Sequence, residues 1–411
     1  MIGLLGCVCL LGLAIFFSEN RKAIAYKSAV RTFALQVFIA VLALMTPIGS
    51  VILETLSRAV MSGIGYANVG IEFMFGPLSD PSNGMVLAFQ VLPVIIFIAS
   101  ILSILFYYGV MDGVIRFLGG GLRFLTGASR LEATCAAANV FIGMVESPLT
   151  ILPYLKKITR SQLFVLMALG LSSVAGTVLF AYAALGIRID LLLTAAFMAA
   201  PGGLLMGRLL VPETQTPYDP LAAGSDESGA NTSRGAQNVI EAATTGALTG
   251  LQIMLSVIAV LIAFIAIIAL LNGVLGTIGG WFGFPTLSFE LLMGYIFAPF
   301  AFLMGVPWEE AQQAGVYLGQ KVVLNEFLAY ANFAPNIESF SAQGQVVITI
   351  ALCGFANFGG LAILLAGLTT VIPERRSEIS ELGLKTLLAG TLSNFMSAAI
   401  VSVVYSLSVI I

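Results

Sequence analysis

The 411-residue chain has no histidine, four cysteines and only 9% charged residues. Without histidine it lacks the commonest proton shuttle and zinc ligand. The scarcity of charge excludes an ordinary soluble domain, in which about 25% of residues are charged. With 59% hydrophobic residues and a mean hydropathy of +1.02, the chain reads as an all-α protein that crosses a membrane many times. A net charge of −3 offers nothing to nucleic acid. Cys7, Cys9, Cys135 and Cys353 all lie in apolar stretches, where a thiol stays buried and free. No H-E-x-x-H, G-x-S-x-G or paired-aspartate motif is present, which argues against a membrane-embedded enzyme.

Runs of about 20 apolar residues predict eight spans, near 2–18, 31–49, 85–110, 161–186, 190–211, 248–274, 345–371 and 383–410. Positive charges follow the first run rather than precede it, so 1–17 reads as a retained span. Residues 50–75, with Glu54, Arg58 and Glu72, and residues 111–127, with Arg116 and Arg123, read as interfacial amphipathic helices. The stretch 129–160 opens on Ser129 three residues before Glu132, a capping-box pattern, and breaks at Gly143 and Pro148. Each arm is too short to cross, so a re-entrant helical hairpin is expected. Residues 287–335 suggest a second hairpin, with its break near Gly305-Val306-Pro307.

With the N-terminus outside, fifteen of the 18 lysines and arginines fall in inside loops, leaving only Arg58, Arg188 and Lys321 elsewhere. Both termini then lie on the outer face, and the hairpins enter from opposite sides. The order hairpin, span, span occurs at 129–211 and again at 287–410, which is the pattern of an inverted repeat. The expected division is 1–110, N-terminal spans and an interfacial helix forming largely scaffold; 111–211, a first repeat; 212–238, a polar cytoplasmic linker; 239–286, a scaffold span; and 287–411, a second repeat.

An ionisable side chain at bilayer depth costs on the order of 2.5–3.5 kcal/mol, so one that is present faces a cavity or a partner. "GQKVVLNEFLAY" (319–330) places Lys321, Asn325 and Glu326 in such surroundings, and Asn139 and Glu146 flank the break of the first hairpin. "LSSVAGT" (171–177) and "GFANFGG" (354–360) interrupt the spans that follow the hairpins. Broken helices free carbonyls for a cation and helix N-termini for a polar solute. Four interrupted elements meeting near the midplane describe the substrate site of a secondary transporter. Lys321 reads as neutralising Glu326 or a free helix end, and Phe327, Tyr330 and Phe333 as packing residues. Trp281 and Trp308 read as marking a membrane–water boundary.

At these residues the chain resembles the concentrative nucleoside transporter family. "GQKVVLNEFLAY" matches the family's G-x-K-x-x-x-N-E-F-x-A-Y, "CGFANF" (353–358) its penultimate span, and "GMVESP" (143–148) the tip of its first hairpin. The likeness runs over nearly the whole chain. It implies a homotrimer in the cell inner membrane, each subunit having eight spans, two opposed re-entrant hairpins and interfacial helices, and moving a transport part against a scaffold like an elevator. Carried over by position, it implies that Glu326 and Asn357 hold ribose hydroxyls, that Asn325 supports a hairpin tip and that Phe355 packs near the sugar or base. Gly143, Met144, Val145 and Glu146 would face the nucleobase, with Val178. A coupling Na+ would be held by Asn139, by Ser173 and by carbonyls near Ile142 and Val174, since oxygen donors suit a hard ion. The implied partners are a nucleoside, the lipid bilayer and two further copies of the chain.

Two departures from the family pattern bear on selectivity. Pyrimidine-accepting members carry Gln-Thr or Gln-Ser where Met144-Val145 stand, whereas purine-preferring animal members carry Gly-Met and Thr-Val, as Gly143-Met144 and Thr177-Val178 do here. Purine nucleosides are therefore favoured. Gly359-Gly360 replace the usual serine pair, which removes a hydroxyl expected at the ribose. The alternative is a proton-coupled symporter of broad or pyrimidine specificity, with Glu146 carrying the proton.

Overall fold

Proline, glycine and hydroxylated caps set where this apolar chain changes direction. The structure, a computed structural model, describes residues 2–80, 82, 86–220 and 236–410; residues 221–235 of the expected linker lie outside the described residues. Among the described residues there are only helices and connections. In chain order they are α1 (Ile2–Phe16), α2 (Tyr26–Met45), α3 (Pro47–Phe75), α4 (Leu87–Gln90), α5 (Val94–Tyr107), α6 (Val110–Thr126), α7 (Arg130–Asn139), α8 (Arg160–Ser172) and α9 (Gly176–Ala184). There follow α10 (Ile189–Leu210), α11 (Val239–Trp281), α12 (Phe289–Leu303), α13 (Trp308–Val323), α14 (Glu326–Phe333), α15 (Ala342–Leu352), α16 (Phe358–Val371) and α17 (Arg376–Ile410).

Among the described residues, six segments are long and apolar enough to cross a bilayer: α2, α4–α5, α8–α9, α10, α11 and the segment containing α17. Shorter apolar helices α1, α15 and α16 cover the remaining expected spans. The expected span at 31–49 stops at Met45, because Pro47 opens a new helix whose Thr46 cap accepts from Gly49 N–H at 3.0 Å. The resulting α3 is largely exposed, as an interfacial helix would be.

The stretch 129–160 folds as two short helical arms. Ser129 and Glu132 make the capping box of α7, and a 3-10 helix (Ser147–Tyr154) returns antiparallel to it, so that the Cys135 thiol reaches Ser147 O at 3.6 Å. In the second half, the break at 305–307 is present, with Gly305 at φ +102° and α12 and α13 bent by 118°. A further reversal follows at Leu324–Asn325, inside the stretch expected to be one arm. Asn332 Nδ2 donates to Gln320 Oε1 at 3.1 Å, whereas twelve residues of continuous helix would hold them about 18 Å apart. The physical cause is Asn325, whose side chain accepts from Leu328 N–H at 2.7 Å and restarts the helix. The chain therefore reverses twice here, between α12 and α13 and again between α13 and α14.

The broken helices are as expected: α8 stops at Ser172 and α9 restarts at Gly176, while α15 stops at Leu352 and α16 restarts at Phe358. Helices α10 and α17 pack together in opposite directions. The C-terminus of α10 and the N-terminal part of α17 meet at Glu19, whose N–H bonds Leu210 O at 2.9 Å and whose carboxyl accepts from Lys385 at 2.8 Å and Arg160 at 3.1 Å. Burial raises the Glu19 carboxyl, yet these hydrogen bonds outweigh it and hold the group below its usual value. Arg188, which the charge pattern set apart from the basic loops, sits at the opposite end of α10, paired with Asp190 at 2.6 Å.

Helix α11 lies along α5. A Cβ at Gly246 would stand 2.6 Å from Ala99 O, and one at Gly250 2.7 Å from Ile96 Cα, so only small residues allow this approach. The first hairpin is anchored by Arg208 of α10, which bonds Glu132 of α7 at 2.6 Å with side chains 19% and 5% exposed. Glu132→Gln keeps an acceptor for the capping box but removes the counter-charge of Arg208, which retains Ser28 Oγ and Gly127 O as acceptors. Breaking a buried pair costs about 3–5 kcal/mol, and the part-exposed Arg208 sets the lower end of that range here. The variant should melt at lower temperature in a thermal-shift assay, and Glu132→Gln with Arg208→Met should recover most of the loss.

Candidate functional site

A helix that stops inside an apolar core leaves up to four carbonyls and four N–H groups without helical partners. In this chain those groups satisfy one another and a few polar side chains, and all four interruptions meet as a result. At the first break, Asn139 at the end of α7 donates to Leu169 O and, at 2.6 Å, to Ser173 Oγ; Gly176 N–H donates to Phe141 O at 3.2 Å. At the second, Asn357 caps α16 by accepting from Gly360 N–H at 2.6 Å. The two breaks touch directly, since Phe355 N–H donates to Ser173 O at 3.0 Å.

Glu326 is the acidic centre. It is the first residue of α14, where the positive end of the helix favours a carboxylate, and it is 5% exposed. One oxygen accepts from Tyr182 Oη at 2.8 Å and the other from Asn357 Nδ2 at 2.8 Å. A buried carboxylate without partners would cost several kcal/mol, and two donors plus a helix terminus offset that. The Asn357 amide turns its Nδ2 to Glu326 and its Oδ1 to the α16 cap, so a carboxylate with spare lone pairs stands beside an amide, groups able to bond adjacent hydroxyls.

Lys321 does not touch the Glu326 carboxylate. It is fully buried, with Nζ donating to Ala351 O at 2.9 Å and to Asn394 Oδ1 at 2.6 Å, and it lies 5.9 Å from the Phe395 ring centroid. Ala351 O belongs to the last turn of α15, so the free-helix-end reading of this lysine is the one realised. Phe327 and Tyr330 pack on Tyr182, with ring centroids at 5.8 and 4.6 Å.

Of the residues expected at a cation site, the structure joins Asn139 and Ser173. Asn139 Oδ1 is buried and accepts no hydrogen bond. Among the described residues, the carbonyls of Ile142 and Val174, neighbours of the Asn139–Ser173 pair, accept none either. An unmet buried acceptor costs about 1–3 kcal/mol. These neutral oxygens fit a hard monovalent ion.

The nucleobase-facing candidates have mixed placements. Met144 and Val145 are carried on the hairpin tip, Met144 packing on Gly170 of α8 and Val145 on Gly367 of α16. Val178 is buried one helical turn before Tyr182, on the same face of α9. Phe355 is half-buried beside the second break. Glu146 is exposed, and its carboxylate folds back over Gly143, where a Cβ would lie 2.2 Å from Oε2; among the described residues no hydrogen bond joins it to the second hairpin. Gly360 is filled by backbone, with Phe355 O standing 2.4 Å from where its Cβ would be.

Two contributors escaped sequence reasoning. Tyr182 sits in an apolar run and resembles a packing residue. Asn394 sits mid-helix in α17, where a lone buried amide is itself a signal of a polar partner.

An acid–amide pair buried between helix interruptions of an apolar, many-helix chain marks a membrane transport protein. Family models agree: residues 191–402 match the Na+ dependent nucleoside transporter C-terminus, 5–78 its N-terminus, and 88–188 a nucleoside recognition model. The chain is 47% identical to the uncharacterized transporter YutK of Bacillus subtilis, covering 97% of this chain and 98% of that one. It is 40% identical to the nucleoside permease NupC of Helicobacter pylori, covering 97% and 96%. The solved structure of CNTnw in an inward-facing substrate-bound state superposes with a TM-score of 0.93 at 41% identity, covering 99% of both chains. A doubly substituted CNTnw in an outward-facing state also scores 0.93. The chain belongs to the concentrative nucleoside transporter family.

Tyr182→Phe removes one of two donors to Glu326 while keeping the ring stack. Hydrogen bonds to charged groups contribute about 1.5–3 kcal/mol, so nucleoside affinity in equilibrium binding should fall on the order of tenfold. Unchanged affinity would make Tyr182 a packing residue only.

Proposed function

We propose that the protein takes up nucleosides, preferentially purine nucleosides, across the inner membrane by Na+-coupled alternating access. The observation that carries this reading is the buried Glu326–Asn357 pair, the Asn357 amide donating to the carboxylate at 2.8 Å, which brings two hydroxyl-bonding side chains together from different interrupted elements. Asn325 caps the helix that presents Glu326. Met144 and Val145 offer an apolar, adaptable surface to a larger base and no amide to a uracil. Sodium is supported by the unmet Asn139 Oδ1 beside Ser173, and by the Na+ dependence in the description of the matched family. The same Asn139–Ser173 contact closes the first hairpin on α8–α9. An ion bound there would order the pocket wall before substrate arrives, and the nucleoside must favour the ion equally in return.

The architecture in this reading has eight spans, two re-entrant hairpins and an inverted repeat. It is supported by the repeated order of hairpin, broken helix and long helix, and by the opposed directions of α10 and α17. Both termini then face the periplasm. Exposed apolar residues on α11, among them Leu255, Ile262 and Leu270, suit burial against lipid or two further subunits, so the functional unit is a homotrimer. Within each subunit, the parts holding α5 and α11 form a scaffold past which the hairpins and broken helices move as an elevator.

Competition of radiolabelled uptake by adenosine, guanosine, inosine, uridine and cytidine, with sodium or with choline, tests the reading. Purines should compete best, and uptake should collapse in choline. Uptake that survives choline but not a protonophore would transfer coupling to protons. Met144→Gln with Val145→Thr should move the rank order towards uridine. Glu326→Gln should weaken ribonucleoside affinity by roughly 10–150-fold, the worth of a hydrogen bond to a charged group, with membrane levels maintained. Normal uptake by that variant would contradict the ribose assignment.

A further inference from the structure

Asn394 is 2% exposed in the middle of α17 and belongs to neither hairpin and neither broken helix. Its amide makes three hydrogen bonds, and each ends on an interrupted element. Nδ2 donates to Ser172 O, the last residue of α8, at 2.6 Å, and to Cys353 O, just past the end of α15, at 3.1 Å. Oδ1 accepts from Lys321 of α13 at 2.6 Å. Gly354 lies against the same amide: a Cβ there would stand 2.3 Å from Oδ1, so no other residue lets the second break approach this closely.

Each of the two acceptor carbonyls has a neighbour in a different ligand group. Ser172 precedes Ser173, which bonds Asn139. Cys353 lies four residues before Asn357, which bonds Glu326. Both Nδ2 hydrogens are used, one on each break. The amide therefore cannot follow one broken helix without moving the other or losing a bond worth about 0.5–1.5 kcal/mol.

We infer that Asn394 is the positioning residue that couples the ion side of the pocket to the sugar side, by holding the two unwound segments in one register. This inference rests on the proposed assignment of cation and ribose to those two breaks. Sodium ordering Ser173 and Asn139 fixes Ser172 O. Through Asn394 it fixes Cys353 O and hence the cap that carries Asn357. Lys321 supplies the third bond and ties the arm of the second hairpin to the same point. The neutral amide suits this task, because it bonds two carbonyls and an ammonium without adding a charge of its own.

The test uses the full-length protein in lipid nanodiscs, with adenosine binding and amide hydrogen exchange measured in sodium chloride and in choline chloride. In the wild type, sodium alone should slow exchange at 353–358 as well as at 139–143 and 172–176. It should also tighten adenosine binding by a factor within the roughly 5–150-fold range of ordinary coupling. Asn394→Asp keeps an acceptor for Lys321 and removes both donated bonds. In that variant sodium should protect only 139–143 and 172–176, and its effect on adenosine affinity should shrink to less than about threefold. A full sodium effect in the variant overturns the inference. So does wild-type protection confined to 139–176, a result obtained without any variant and one that leaves the proposed function standing. No sodium effect anywhere in the wild type removes the ion assignment and the inference with it.

Discussion

Backbone groups freed inside a hydrocarbon layer have no water to turn to, and each one left unmet costs several kcal/mol. The pocket depends on how this chain meets that constraint. Two helices stop mid-core and two hairpins turn there, and their loose carbonyls and amides are answered by Asn139, Lys321, Asn357 and Asn394, and by the direct bond from Phe355 N–H to Ser173 O. The residues that rescue the backbone are the same ones, or the immediate neighbours of the ones, that the proposed function assigns to a solute. Structural need and recognition are met by a single set of bonds.

This economy explains why so few charged groups suffice. Glu326 and Lys321 are both buried near the pocket, and neither is answered by the other through direct contact. The carboxylate is held by a phenol, an amide and a helix start, and the ammonium by a carbonyl, an amide and a ring face. A direct pair would have consumed the carboxylate oxygens. Keeping the two apart leaves Glu326 bonded through donors that can adjust as a ligand enters.

Much of this was legible in the sequence, for local reasons. A capping box is a three-residue pattern, and Ser129–Glu132 forms one. A run such as "LSSVAGT" or "GFANFGG" interrupts an apolar period, and both mark real breaks. Charge at depth drew attention to Glu326, and the structure bonds it to Asn357, a residue the family resemblance also singled out. The tip of the second hairpin was set too early, because Gly305 and Pro307 are strong breakers while the single cap Asn325 is a weak one in print. Tyr182 and Asn394 were missed because their roles depend on partners 144 and up to 222 residues away. Nothing in a helical period distinguishes a bridging tyrosine from a packing one.

Helix α11 has a consequence for the surrounding lipid. Its 43 residues amount to about 65 Å of helix. Even tilted by about 40°, the steep end of the observed range, such a rod rises about 50 Å, more than the roughly 40–45 Å of a whole bilayer with its headgroups. Against it stands α1, of 15 residues, about 22 Å of helix. One protein therefore asks neighbouring lipids to stretch along one side and compress along another. Acyl-chain length thereby becomes a mechanical load on the fold, felt differently at the long helix and at the short one.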